Sequence, residues 1–86
     1  MNLKVSPIGV PLRVLKISSA DSDDTISRRL MELGFIEGAI VEVRHSAPFF
    51  GDPIAVMVRG MLVALRRYEA ERVHVEAELH ESKSQP

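Results

Sequence analysis

The sequence contains no cysteine and no tryptophan, and only one tyrosine and three phenylalanines. Without cysteine there can be no disulfide scaffold, no Cys-based zinc knuckle, no iron-sulfur site and no thiol nucleophile, so folding rests on packing alone. No apolar run approaches the roughly 18 to 20 residues needed to span a bilayer, and Pro7 and Pro11 interrupt the only N-terminal stretch that could mimic a secretion signal. A cytoplasmic protein is expected. An excess of one charge is missing too: 11 Lys+Arg against 12 Asp+Glu give a formal net charge of -1, without the general basic field of a nucleic-acid coat. There is no G-x-x-x-x-G-K-[ST] loop and no G-x-G-x-x-G, and the hydroxyls at Ser18, Ser19, Ser22, Ser27 and Ser46 sit in no nucleophile elbow. The chain is expected to be no enzyme.

What is present suits one small domain. The 86 residues are 45% hydrophobic and 27% charged, within the range where a single core forms with a narrow stability margin. Residues 1–80 are expected to make that domain, and residues 81–86, with nothing to bury, a disordered tail.

Leu12 to Ile17, rich in Val, Ile and Leu and bounded by Pro11 and Ser18, predicts a strand; Pro7-Ile8-Gly9 before it predicts a turn. The Asp and Ser residues of Ser18 to Asp24 can cap a helix start. Ile26, Leu30 and Leu33 then fall on one helical face, with Ser27, Arg28, Arg29 and Glu32 mainly on the others, and Gly34 can close the helix in a left-handed conformation with Phe35 packing back on it. Beyond Ala39 the period becomes two. Val41 and Val43 mark one strand; Ile54, Val56 and Val58 mark another; Gly60 makes a tight connection to Met61–Leu65, a run apolar on both faces and so placed as a central strand. Arg66 to Arg72 predicts a single helical turn, and Val73, Val75 and Ala77 a last strand. The expected fold is mainly β: a small SH3-like five-stranded barrel with one inserted α-helix and a short helical turn before the last strand.

Three sets of residues could carry chemistry. His74, Glu76, Glu78 and His80 alternate on the last strand and His45 lies elsewhere, all suitable metal ligands, but same-face neighbours about 6.5 to 7 Å apart cannot both reach a metal unless the side chains lean together or a second chain contributes. A solvated strand face is the simpler reading, so no cofactor is expected to be required, and weak or adventitious divalent metal binding is the alternative. Arg28-Arg29 and Arg66-Arg67 could meet phosphate or an acidic protein surface, or serve solubility; no aromatic ladder accompanies them, so no nucleic acid is expected. Phe49 and Phe50 cannot both point into one core from an ordinary strand. In the loop Ala47 to Pro53 an exposed Phe would be a docking element, and the other reading is a tip folded onto the end of the barrel.

Arg29-Leu30-Met31-Glu32-Leu33-Gly34-Phe35-Ile36-Glu37-Gly38 resembles the R-L-x-x-L-G-hydrophobic-x-x-G signature of the bacterial ferrous iron transport protein A family, FeoA. Ala47-Pro48 with Gly51-Asp52-Pro53 resembles its A-P-x-G-D-P hairpin, and Ala64-Leu65-Arg66 with Ala70, Val73 and Val75 resembles its ending. The chain departs from the pattern in having two phenylalanines where one residue is usual, and in its acidic Ser18–Asp24 stretch. The resemblance implies an SH3-like accessory protein of ferrous iron uptake, acting on a FeoB-like membrane protein with a GTP-binding domain and recruited by it to the inner membrane face. Between a monomer and a weak homodimer the sequence leaves the choice open. The alternatives are an SH3-like module of the iron-dependent repressor type, against which no helix-turn-helix is present, or a small nucleic-acid-binding barrel. The expected docking surface joins Arg28, Arg29 and Glu32, the Leu33-Gly34-Phe35 corner, the Phe49-Phe50 tip, Asp52 and Arg66, shaped by Gly34 and Gly38 and held from beneath by Leu30, Val41, Val43, Val56 and Leu65.

Overall fold

Alternation of apolar and polar residues dictates most of the architecture, and the computed structural model describes residues 1–19, 24–48 and 50–78. Five strands, β1 (Leu12–Ile17), β2 (Ile40–Ser46), β3 (Ile54–Val58), β4 (Met61–Leu65) and β5 (Val73–Ala77), form one antiparallel sheet in the order β4-β3-β2-β1-β5. Helix α1 (Thr25–Leu33) follows β1, a four-residue helix α2 (Arg67–Ala70) precedes β5, and a 3₁₀ turn at Leu3–Val5 opens the chain. Expectations for residues 20–23, Phe49, His80 and the tail 81–86 lie outside the described residues.

Two bulges bend the sheet. Val14 pairs with Val75 and Lys16 with His74, leaving Leu15 as an extra residue in β1; Val43 pairs with Val56 and His45 with Ala55, leaving Arg44 extra in β2. Each extra residue bends its strand and sharpens the twist, so the sheet curls around Leu12, Val14, Val41, Val43, Val56, Val58, Val73 and Val75, all buried. Leu30 of α1, Phe35 beyond it and Leu3 of the 3₁₀ turn, with Ile54, Leu65 and Ala70, complete this core.

The predicted helix ends are present in detail. Asp24 is the N-cap, its Oδ1 accepting the N–H groups of Ile26 at 3.0 Å and Ser27 at 3.2 Å. Gly34 at φ 116° ends the helix, and the Phe35 N–H returns to the Leu30 carbonyl at 3.1 Å. Ser27, expected on an outer face, is instead buried, because its hydroxyl donates to the Ser18 carbonyl at 2.9 Å and can therefore leave water.

Met61–Leu65 is corrected more fundamentally. It is an edge strand and not a central one: only Leu65 is buried, while Met61 and Leu62 are each 51% exposed. An apolar run on both faces reads as interior only if both faces are covered, and here the outer face of β4 is open. The sheet is bent but, among the described residues, no ladder joins β4 to β5, so the edge that a closed barrel would abolish remains. No helix among the described residues is long and apolar enough to cross a membrane.

Candidate functional site

The β2–β3 connection is closed at its base by its own hydrogen bonds. The Ala47 N–H donates to the Pro53 carbonyl and the Gly51 N–H to the Ala47 carbonyl, both at 3.0 Å, and the Asp52–Pro53 peptide is cis. Helix α2 then anchors the tip: the Arg67 N–H donates to Asp52 Oδ1 at 3.0 Å and the Arg67 guanidinium to the Phe50 carbonyl at 3.2 Å. With its backbone fixed from both sides, the Phe50 side chain stands 85% exposed. It does not fold onto the end of the sheet.

Buried Glu69 ties this corner to α1. One carboxylate oxygen accepts the Arg66 N–H at 2.9 Å, the other accepts from the Arg29 guanidinium at 2.5 Å, and Arg66 itself lies 3.9 Å from Asp52. Through α2, then, the structure brings together Arg29, Asp52, Arg66 and the Phe50 tip. Arg28 and Glu32 lie exposed on α1.

The Leu33-Gly34-Phe35 corner departs from expectation. Leu33 is half-buried, and Gly34 and Phe35 are buried, Phe35 completely, so Phe35 supports the surface from within and presents no side chain to a partner. Exposed hydrophobic area beside it comes from residues that the pattern reading passed over: Leu15, Met31 and Ile36 line a groove of about 270 Å³ between β1 and α1, with Phe35 among its lining residues and Lys16 and Glu37 at hand. The signal for Leu15 was its place directly after Val14, two large apolar residues in succession in a strand that is otherwise half-covered. That doubling is the bulge.

The metal candidates are dispersed. The His74 ring nitrogen meets the Ser18 hydroxyl, Glu76 is exposed opposite Arg13, and Glu78 takes a two-pronged hydrogen bond from the Arg13 guanidinium at 2.9 and 3.1 Å. His45 sits on β2 across from Ala55. No group of three or more His, Cys, Asp or Glu residues that could hold an ion forms among the described residues.

The FeoA domain matches residues 1–77. The chain belongs to the FeoA family. FeoA of Stenotrophomonas maltophilia, solved with zinc and described as a prokaryotic SH3 domain protein and candidate ferrous iron transport activating factor, is 37% identical with a TM-score of 0.80, covering 88% of this chain and 89% of that one. FeoA of Chlorobium tepidum is 39% identical with a TM-score of 0.76, covering 90% and 70%. The fold is accordingly SH3-like. A manganese-dependent transcriptional repressor shares that fold at 22% identity and a TM-score of 0.73, over 92% of this chain and 41% of its own, which is a likeness of architecture alone. Among curated proteins none matches by sequence.

Proposed function

We propose that this FeoA-family chain is a non-catalytic accessory protein of ferrous iron uptake, which docks on the cytoplasmic face of a FeoB-like membrane transporter and modulates it through protein-protein contacts. The observation that carries the reading is Phe50: an aromatic side chain left in water on a loop braced by Asp52 and Arg67 is an anchor on a preorganised backbone, since the ordering cost of the main chain is already met before binding. Arg29, Arg66 and Asp52 supply a polar rim, and Arg28 and Glu32 extend it along α1. The groove of Leu15, Met31 and Ile36 offers a second apolar contact. Phe49 belongs to the proposed tip by its place in the sequence. No metal is required by this reading, so the chelator-treated protein is expected to bind as well as the untreated one.

A protein that only binds can alter a GTPase transporter only by preferring one of its conformations. The test is a titration against the detergent-solubilised transporter with GDP, with a non-hydrolysable GTP analogue and without nucleotide, followed by GTP turnover. Affinities are expected to differ between states, and Phe50→Ser to weaken binding by about thirtyfold, the equivalent of a 2 kcal/mol anchor, while the melting temperature stays unchanged. Equal affinity in all three states together with unaltered turnover would refute modulation. Failure to bind at all would refute docking.

A further inference from the structure

At one end of the sheet the N-terminal residues cover β5: the Val75 N–H donates to the Met1 carbonyl at 2.8 Å, and Asn2 bridges to His74. At the other end, nothing among the described residues pairs with the outer side of β4. Which groups face outward follows from register. The two-residue turn Arg59–Gly60, both with positive φ, makes Val58 and Met61 a hydrogen-bonded pair. Alternation along an antiparallel ladder then turns Met61, Val63 and Leu65 toward β3 and leaves the N–H and C=O groups of Leu62 and Ala64 directed away from it. The strand carries none of the usual protections of an edge: it has no charge and no proline, and its pairing with β3 runs without a bulge.

Charge selects the occupant. The strand is bracketed by Arg59 before it and by Arg66 and Arg67 after it. Arg59 forms no ion pair with any described residue, and Arg66, with its side chain 58% exposed, has only Asp52, at 3.9 Å. Two copies paired antiparallel about Val63 would set Arg59 of each against Arg67 of the other, cation against cation at both ends of a short strand. A segment with carboxylates at its ends meets Arg59 and Arg66 as an attraction, the Arg67 guanidinium being held by the Phe50 carbonyl.

We propose that β4 is a strand-addition site for an extended segment of the transporter, apolar at its centre and acidic at both ends, whose main chain bonds to Leu62 and Ala64 and whose carboxylates meet Arg59 and Arg66. This deepens the docking reading above and rests on it. Alternate side chains of the added strand would lie beside Leu62 and Ala64 on the outer face of the sheet.

The probe is the detergent-solubilised transporter. Ala64→Pro removes an outward N–H without touching the ladder to β3, a position where an edge strand accepts proline. It is expected to lower affinity at least tenfold with the melting temperature within a few degrees of wild type. Should that variant not fold, amide exchange of the wild-type protein decides: the Leu62 and Ala64 amides must slow at least tenfold in the complex, and unchanged exchange overturns the proposal. If wild type binds and folded Ala64→Pro binds within twofold of it, the edge assignment fails while the docking reading stands. If wild type does not bind, both fail. A wild-type dimer in sedimentation that Ala64→Pro dissolves would overturn the assignment in favour of a second copy.

Discussion

Gly34 is the position where a single added carbon should cost most for its size. At φ 116° an L-residue is outside its comfortable backbone regions, which costs about 1 to 3 kcal/mol in a well-determined structure. A Cβ there would lie 2.3 Å from Arg59 Cδ, 2.9 Å from Cγ and 3.2 Å from Cγ2 of buried Val58. The arginine can swing away, since it is a flexible side chain. Val58 is held in the core and can yield only a few tenths of an ångström. Gly34→Ala is therefore expected to cost about 2 kcal/mol, chiefly backbone strain, and Gly34→Val more. For a domain of this size each kcal/mol is worth about 4 to 8 °C, so thermal unfolding followed by circular dichroism should show a drop of roughly 8 to 16 °C. Adding Arg59→Ala to Gly34→Ala separates the two causes: removing the displaced side chain should recover less than about 1 kcal/mol, because the strain remains. A loss below about 0.5 kcal/mol for Gly34→Ala would show that the left-handed cap does not hold the α1 corner as argued.

Asp24 caps α1 and also pairs with Arg72, the two side chains being 6% and 23% exposed, so Asp24→Ala should cost roughly 2 to 4 kcal/mol in urea unfolding, whereas Asp24→Asn, which retains a capping oxygen, should lose about half as much. Leu3→Ala should cost about 2 to 5 kcal/mol by the same measurement, since Leu3 is fully inside the core; an unmoved midpoint would detach the N-terminal turn from the fold. Lys4 donates to Glu71 at 2.7 Å and holds its carboxyl below the usual glutamate range, so an NMR titration should place the Glu71 midpoint below that of a free glutamate and Lys4→Met should raise it. Because that value is depressed in the folded state, the contribution of the pair is present at neutral pH and disappears as pH falls through the Glu71 midpoint.

Periodicity made most of the architecture legible. Val41 and Val43, Ile54, Val56 and Val58, and Val73 and Val75 mark strand faces because only one side of each strand is buried, and Gly34 marks a helix end because few residues tolerate its conformation. Where the reading failed, burial was decided by partners distant in sequence. Leu62 and Ala64 look interior by composition, but β4 was left last in the sheet order with its outer face open. Ser27 looks exterior, but the Ser18 carbonyl lies within reach of its hydroxyl. Leu3 belongs to a three-residue turn too short to show any period. At the docking surface, the paired phenylalanines left an exposed aromatic and a folded-back tip both open, and Phe50 takes the exposed course; Phe35 packs back as its place after Gly34 suggests, whereas the opening beside Leu15, Met31 and Ile36 depends on how the α1 corner meets β1.

The surplus residues at Leu15 and Arg44 have a further meaning for how this fold can change. Curvature here is written as a number of residues and not as their kind: exchanging Arg44 for another polar side chain leaves the bend alone, while deleting it would restore an unbroken ladder and straighten the strand. A chain one residue shorter at either place could keep every interior side chain and still lose the shape that closes over Leu30 and Phe35. Natural drift should thus permit free spelling at position 44, an apolar residue at position 15 for the groove, and strict length at both points.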